Sequence, residues 1–353
     1  MAYSTIPKGS LYMNTKTYTG NGGTNAVTGV GFQPDWVWFK SRSNPDDHNL
    51  FDAIRGVTKC IETNTTVAEF TQSNGLTAFG TDGFTVGDFN AGNRNGGNIV
   101  AWNWKAGTAF SNNAGANGAT LASTGSVNDT AGFSIVSYTG NTTAGATIKH
   151  GLSTKPDVII CKARQDSGGA IEWTMYHKGI PTPQNNTLCL NTNAAKVDRT
   201  IAWNDTAPTS SVFSVGTWVS TNAQVPMIAY AFTEKTGYSK FGSYTGNGNA
   251  DGTFIYTGFK PAFFMIKRTN GTGNWKMVDS KRLGYNPDNN DLYADLSNAE
   301  DTADYGDIVS NGFKWRSNEA TYNGSGDTFI YMAFASNPFV ATSGSDAIPV
   351  TAR

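Results

Sequence analysis

The chain has 353 residues, with 26 basic and 27 acidic side chains and a formal net charge of −1, a balance that offers no basic face for nucleic acid. Charged residues make up 15%, aromatic residues 12%, and glycines number 40; this disfavours helical bundles and suits short strands joined by tight turns, because Gly, Asn and Thr are weak helix formers. No apolar run reaches the roughly 18 residues of a membrane span, and three cysteines without a CxxC pair, Cys60, Cys161 and Cys189, argue against a disulfide framework or a zinc site.

In chain order, residues 1–17 lack the apolar centre of a secretion signal and read as an extended arm. The phrase YTGNGGTNAVTGVGFQPDWVWFKSR follows, from Tyr18 to Arg42. It returns as YTGNTTAGATIKHGLSTKPDVIICKAR from Tyr138 to Arg164, and as YTGNGNADGTFIYTGFKPAFFMIKR from Tyr244 to Arg268. Each copy carries a mid-phrase proline (Pro34, Pro156, Pro261) and then an apolar run closed by Lys and Arg: Lys40 with Arg42, Lys162 with Arg164, Lys267 with Arg268. The runs WVWFK, DVIICK and FFMIK have strand length, and their unbroken apolar character predicts cover on both faces. A second block recurs as DGFTVG, SVFSVG and NGFKWR, and a third as IVAWNW, MIAYAF and FIYMAF. In the third block AWNWK alternates, which predicts a strand with one wet face.

The three blocks keep their order at a spacing of roughly a hundred residues, too long for a solenoid repeat. Each copy therefore reads as a small domain. The expected class is all-β, with three tandem homologous β-sandwich or jelly-roll-like domains and few or no helices. The divisions are an arm at 1–17, units at 18–107, 131–236 and 237–339, a Gly/Asn/Ser/Thr-rich junction at 108–130, and a C-terminal arm at 340–353. The junction reads as a flexible linker or as short edge strands. Residues 299–308 read as a helical turn or two.

The phrases SLYMNTKTYTGNGG, VTGVGFQPDWVWFKSRS, HNLFDAIRGVTK, TDGFTVG and KFGSYTGNGNADGTFIYTGFKPAFFMIKR resemble virion proteins of marine tailed bacteriophages, over nearly the whole chain. The resemblance implies a non-enzymatic virion structural protein, assembled in the host cytoplasm. It does not by itself select the component; the expected role is a tail fibre or receptor-binding component, with a capsid decoration or head-fibre protein as the alternative and a polysaccharide depolymerase last. The implied partners are other virion proteins, further copies of the chain (a trimer among them) and a host surface glycan or protein, without nucleic acid or membrane insertion. Three equivalent units in one chain also suit a body with pseudo-threefold symmetry.

The chemistry-bearing residues give weaker signals, and no cofactor and no catalytic residue is assigned. Asp288, Asp291 and Asp295 form an oxygen-rich loop, but the EF-hand glycine and closing Glu are missing. Asp46, Asp47 and Asp52 lack the spaced partner that glycoside hydrolysis needs. His48, His150 and His177 have no recurring equivalents and read as structural, as do Cys161 and Cys189. An acid followed by a base recurs as Asp52 with Arg55 and as Asp279 with Lys281 and Arg282, and favours a loop-locking scaffold role in a partly exposed setting. Trp36, Trp38, Trp102 and Trp104 read as core. Trp173, Trp203, Trp218, Trp275 and Trp315 are the expected ligand-stacking aromatics.

Overall fold

A computed structural model describes residues 4–338, apart from 169–170, 283–285, 287–289 and 304. The C-terminal arm, Asp288 and Asp304 lie outside the described residues. The chain is all-β. Three large antiparallel sheets follow one another, and each has a smaller sheet packed on one face.

One strand order recurs in the large sheets. In the first it runs Met13–Thr19, Asn98–Trp104, Trp36–Ser41, Asn49–Asp52, Lys59–Glu62. In the second it runs Phe133–Thr139, Pro226–Phe232, Val158–Ala163, Thr174–His177, Asn186–Cys189. In the third it runs Ser239–Thr245, Thr328–Pro338, Phe259–Arg268, Lys276–Asp279, Leu292–Tyr293. The smaller sheets also match: Asn25–Thr28 pairs with Gly83–Val86, Ala146–Lys149 with Val212–Val215, and Phe254–Tyr256 with Gly312–Trp315.

The Tyr-Thr-Gly-Asn phrase has a mechanical reason. Ahead of each long central strand stands a single helical turn, Asn90–Asn93, Val219–Asn222 or Ala320–Asn323. The tyrosines clasp these turns by donating to carbonyls of Gly92, Thr221 and Tyr322, at 2.6, 2.6 and 2.7 Å. The glycines let the backbones touch: a Cβ on Gly20, Gly140 or Gly246 would lie 2.1–2.2 Å from the carbonyl of the residue that follows the turn, Arg94, Ala223 or Gly324. The buried side chains of Asn93, Asn222 and Asn323 then accept the backbone N–H of Asn21, Asn141 and Asn247. The phrase is a clasp that satisfies buried polar groups.

Sheet alternation divides the apolar runs between two cores. Val37 and Phe39 pack toward the first small sheet, Ile159 and Cys161 toward the second, and Phe264 and Ile266 toward the third. Their neighbours Trp36 and Trp38, Val158 and Ile160, and Phe263 and Met265 point the other way into one core shared by all three sandwiches. Both faces of each large sheet are therefore covered, as the unbroken apolar runs predict.

The covered second face overturns several expectations. Asn103, read as facing water, is fully buried and donates to the carbonyls of Asn14 and Ala101. Within the expected N-terminal arm, residues 4–17 are not free: Ile6 lies in the shared core and Met13–Thr19 is a sheet strand. The junction at 108–130, by contrast, takes the edge-strand form of its two expected readings: Thr108–Asn112 and Ser123–Asn128 extend the second sheet at its edge. Within 299–308 there is a strand, Gly306–Val309, rather than a helical turn.

Candidate functional site

Cross-strand register identifies corresponding positions in the three sandwiches. Asp52, His177 and Asp279 correspond, because they pair with Trp36, Val158 and Phe263. Each receives a contact from the next sandwich. Tyr230 Oη donates to Asp52 Oδ2 at 2.7 Å, and Trp102 Nε1 donates to Asp279 Oδ2 at 2.9 Å. His177 Nε2 lies 3.1 Å from the Tyr331 carbonyl, and its Nδ1 accepts the Gly179 N–H, so Nε2 holds the proton. These contacts run second to first, first to third and third to second, closing a ring.

A second ring lies beside the first. Trp173 Nε1 donates to the Glu62 carbonyl at 2.7 Å, and Trp275 Nε1 to the Cys189 carbonyl at 2.9 Å. His48 occupies the corresponding place, accepts Trp38 Nε1 on Nδ1, and faces the Tyr293 backbone. Lys40, Lys162 and Lys267 hold corresponding positions and are all fully buried, and Lys40 donates to the Ser41 and Asn44 carbonyls of its own sandwich. Lys162 reaches the Thr65 carbonyl of the first sandwich, and Lys267 the Asn193 carbonyl of the second. Burial lowers the pKa of each of these lysines to about 8.

The recurring acid–base pair belongs to these junctions and is buried rather than partly exposed. Arg55 Nε meets Asp52 Oδ2 at 2.5 Å, and Arg282 Nε meets Asp279 Oδ2 at 2.6 Å. Each arginine also reaches a glutamate that grips the neighbouring sandwich. Arg55 meets Glu69, which holds Arg164 by two bonds of 2.9 Å. Arg282 meets Glu300, which holds Arg42 at 2.8 and 2.9 Å. Where the second sandwich meets the third, Ile180 replaces the arginine, and the contact is Lys196 N–H to the Thr269 carbonyl. Register makes Thr269, not Arg268, the equivalent of Arg42 and Arg164; Arg268 turns instead to Asp327.

The expected ligand-stacking tryptophans are mostly out of reach. Trp173, Trp203, Trp275 and Trp315 are each 1% exposed. Trp173 and Trp275 sit in the shared core, while Trp203 and Trp315 lie under the second and third small sheets. Trp218 alone is half-buried; it lines a surface pocket of about 280 Å³ with Glu172 and Val197, where Arg199 stacks 3.8 Å above its ring. The acidic loop is also occupied. Asp291 is ion-paired to Lys276, whose ammonium lies 3.4 Å from the Tyr322 ring centre, and Asp295 accepts the Trp275 N–H. Among the described residues no cluster of His, Cys, Asp and Glu could hold a metal ion. No helix there is long and apolar enough to cross a membrane.

The fold and its junctions define an all-β chain of three sandwiches closed around one interior. It belongs to the family described as Domain of unknown function (DUF7483), whose model matches residues 8–338 and so spans all three sandwiches. No curated protein and no solved structure matches it.

Proposed function

We propose that this chain is a non-catalytic structural component of a tailed-phage particle, of the tail-fibre or receptor-binding kind. The shared core is the observation that carries the reading. Groups that chemistry could recruit, namely Asp52, Asp279, Arg55, Arg282, His177, Lys162 and Lys267, are buried and engaged at the junctions between sandwiches. Such a body is a stiff platform, and many copies on a particle would turn weak single contacts into firm attachment. The resemblance of its long phrases to phage virion proteins supports the same reading.

Localisation on intact particles by cryo-electron microscopy or antibody labelling tests it. Density on the tail or its fibres is expected. Density over the capsid would make the chain a decoration protein and remove the attachment role. Absence from purified particles would end the virion reading.

A further inference from the structure

The outer face of the third small sheet differs from the corresponding faces of the other two. In Phe254–Tyr256, Ile255 points into the third core, while Phe254 and Tyr256 point outward and are 45% and 57% exposed. Tyr256 is the most exposed large apolar side chain among the described residues. Register sets Ile255 level with Val27 and Ile148, because these pair with Phe313, Phe84 and Phe213. The outward positions are therefore Ala26 and Thr28 in the first sandwich and Thr147 and Lys149 in the second. Two copies of this surface carry small or polar side chains, and the third carries two aromatic rings.

Cover for a bare backbone does not account for the rings. Phe254 and Tyr256 flank Gly312 on the facing strand, and a Cβ there would lie 3.1 Å from the Phe254 ring. Gly83 holds the same place in the first sandwich with only Ala26 and Thr28 beside it. The glycine is thus tolerated without aromatic cover.

The rings project from one face of a strand about 7 Å apart, given the rise per residue. Beside them, Lys314 meets Asp251 at 2.6 Å, and Arg316 pairs with Asp307. The cations of this rim are already balanced by carboxylates, so the patch offers hydrogen-bonding groups without net charge. Flat apolar rings edged by paired polar groups match the C–H face and peripheral hydroxyls of a pyranose, and the charge balance favours a neutral sugar over an acidic one. We infer that Phe254 and Tyr256 form a stacking platform for a neutral glycan chain on the third sandwich. This deepens the attachment reading by naming the class of host molecule contacted, and it rests on that reading for its biological role.

Affinity electrophoresis of the full chain tests it, with soluble dextran and a mixed-linkage β-glucan as neutral probes and alginate as the acidic one. Retardation by a neutral probe is expected, weakened about tenfold or more in the Phe254→Ala, Tyr256→Thr double variant, which installs the residues of the first sandwich. The unfolding midpoint of that variant should stay near the parent value, since both side chains are exposed. Absence of retardation by both neutral probes, retardation by alginate alone, or retardation that survives the double substitution would overturn the assignment. Self-association of the parent chain that the double substitution abolishes, read by sedimentation velocity, would make the patch a contact between copies and also overturn it. Particle labelling fails or succeeds separately: a chain found on the tail that binds no neutral glycan keeps the attachment role and loses the platform.

Discussion

Where the third sandwich meets the first, Asp279 holds Arg282, accepts Trp102 Nε1, and the chain of charge continues through Glu300 to Arg42. Where the second meets the third, His177, Ile180, Lys196 and Thr269 stand in the corresponding places. The two junctions meet the same geometric demand with different chemistry. Closure of the ring needs a complementary contact at each junction; it does not need the groups that make it to be charged. A complete apolar or neutral set can replace a buried ion pair at small cost, whereas half of the set cannot.

The comparison breaks most sharply at one carboxylate. Asp279→Ala takes from the buried guanidinium of Arg282 its nearer carboxylate, leaving Glu300, and removes the acceptor of Trp102 Nε1 and of the Lys281 and Arg282 N–H groups. A loss of about 3–5 kcal/mol is expected in denaturant unfolding. A loss below about 1 kcal/mol would mean that the charged junction contributes little.

Grafting sharpens the comparison. Asp279→His combined with Arg282→Ile recreates the His177 and Ile180 arrangement at the charged junction. The pair should be less destabilising than Arg282→Ile alone, which strands a buried carboxylate, and a double-mutant cycle should give a coupling of about 1–3 kcal/mol. Simple additivity would show that the two side chains do not act as one unit.

The neutral junction carries its own signature in pH. Burial pushes His177 down to about 3 from an ordinary 6.5. Between those values the unfolded chain binds a proton that the folded chain does not, so stability is present above 6.5 and is lost as pH falls. The expected slope is about 1.4 kcal/mol per pH unit for this one group. His150, pushed down to about 4 by burial, acts in the same sense, and Asp291 and Asp295, raised to about 6 by burial, act in the opposite one. Comparing parent with His177→Gln in urea unfolding across this range isolates the one group: the variant should lose about one proton from its pH dependence. An unchanged slope would place the titration elsewhere.

The smallest effect is expected at the surface. Arg94 meets Asp46 at 3.0 Å with its side chain 38% exposed. Arg94→Ala should change stability by no more than about 0.5 kcal/mol, and a larger loss would mean that this rim pair belongs with the buried networks.

Much of the interior was legible in the residue order. Trp36, Trp38, Trp102 and Trp104 read as core and are core, and the Asp–Arg pairs read as scaffold and are scaffold. Four of the five tryptophans taken for ligand contacts, all but Trp218, show where that reading stops. Alternation tells which side chains share a face of a strand, but it does not tell what covers that face. Trp173 and Trp275 look free within their own phrases and are enclosed by sandwiches whose residues lie far away in the chain. The equivalence of His48 with Trp173 and Trp275 was hidden for a related reason. The three share a position in the register and not an identity, so only the strand pairing reveals it. The exposed pair Phe254 and Tyr256 carried a signal that was available: corresponding positions read Ala and Thr, then Thr and Lys, then two aromatics.

By itself the sequence determined the local elements, namely strand runs with apolar faces and the Gly- and Asn-rich turns between them, since these follow from backbone sterics and side-chain alternation; the Tyr-Thr-Gly-Asn clasps join residues some seventy or more positions apart and became visible only in the fold. Only the tertiary structure decided that the outer faces of three sheets turn inward on one another. That outcome depends on the complementarity of surfaces contributed by distant segments, where burial of apolar area and the matching of buried donors to acceptors act across the whole chain.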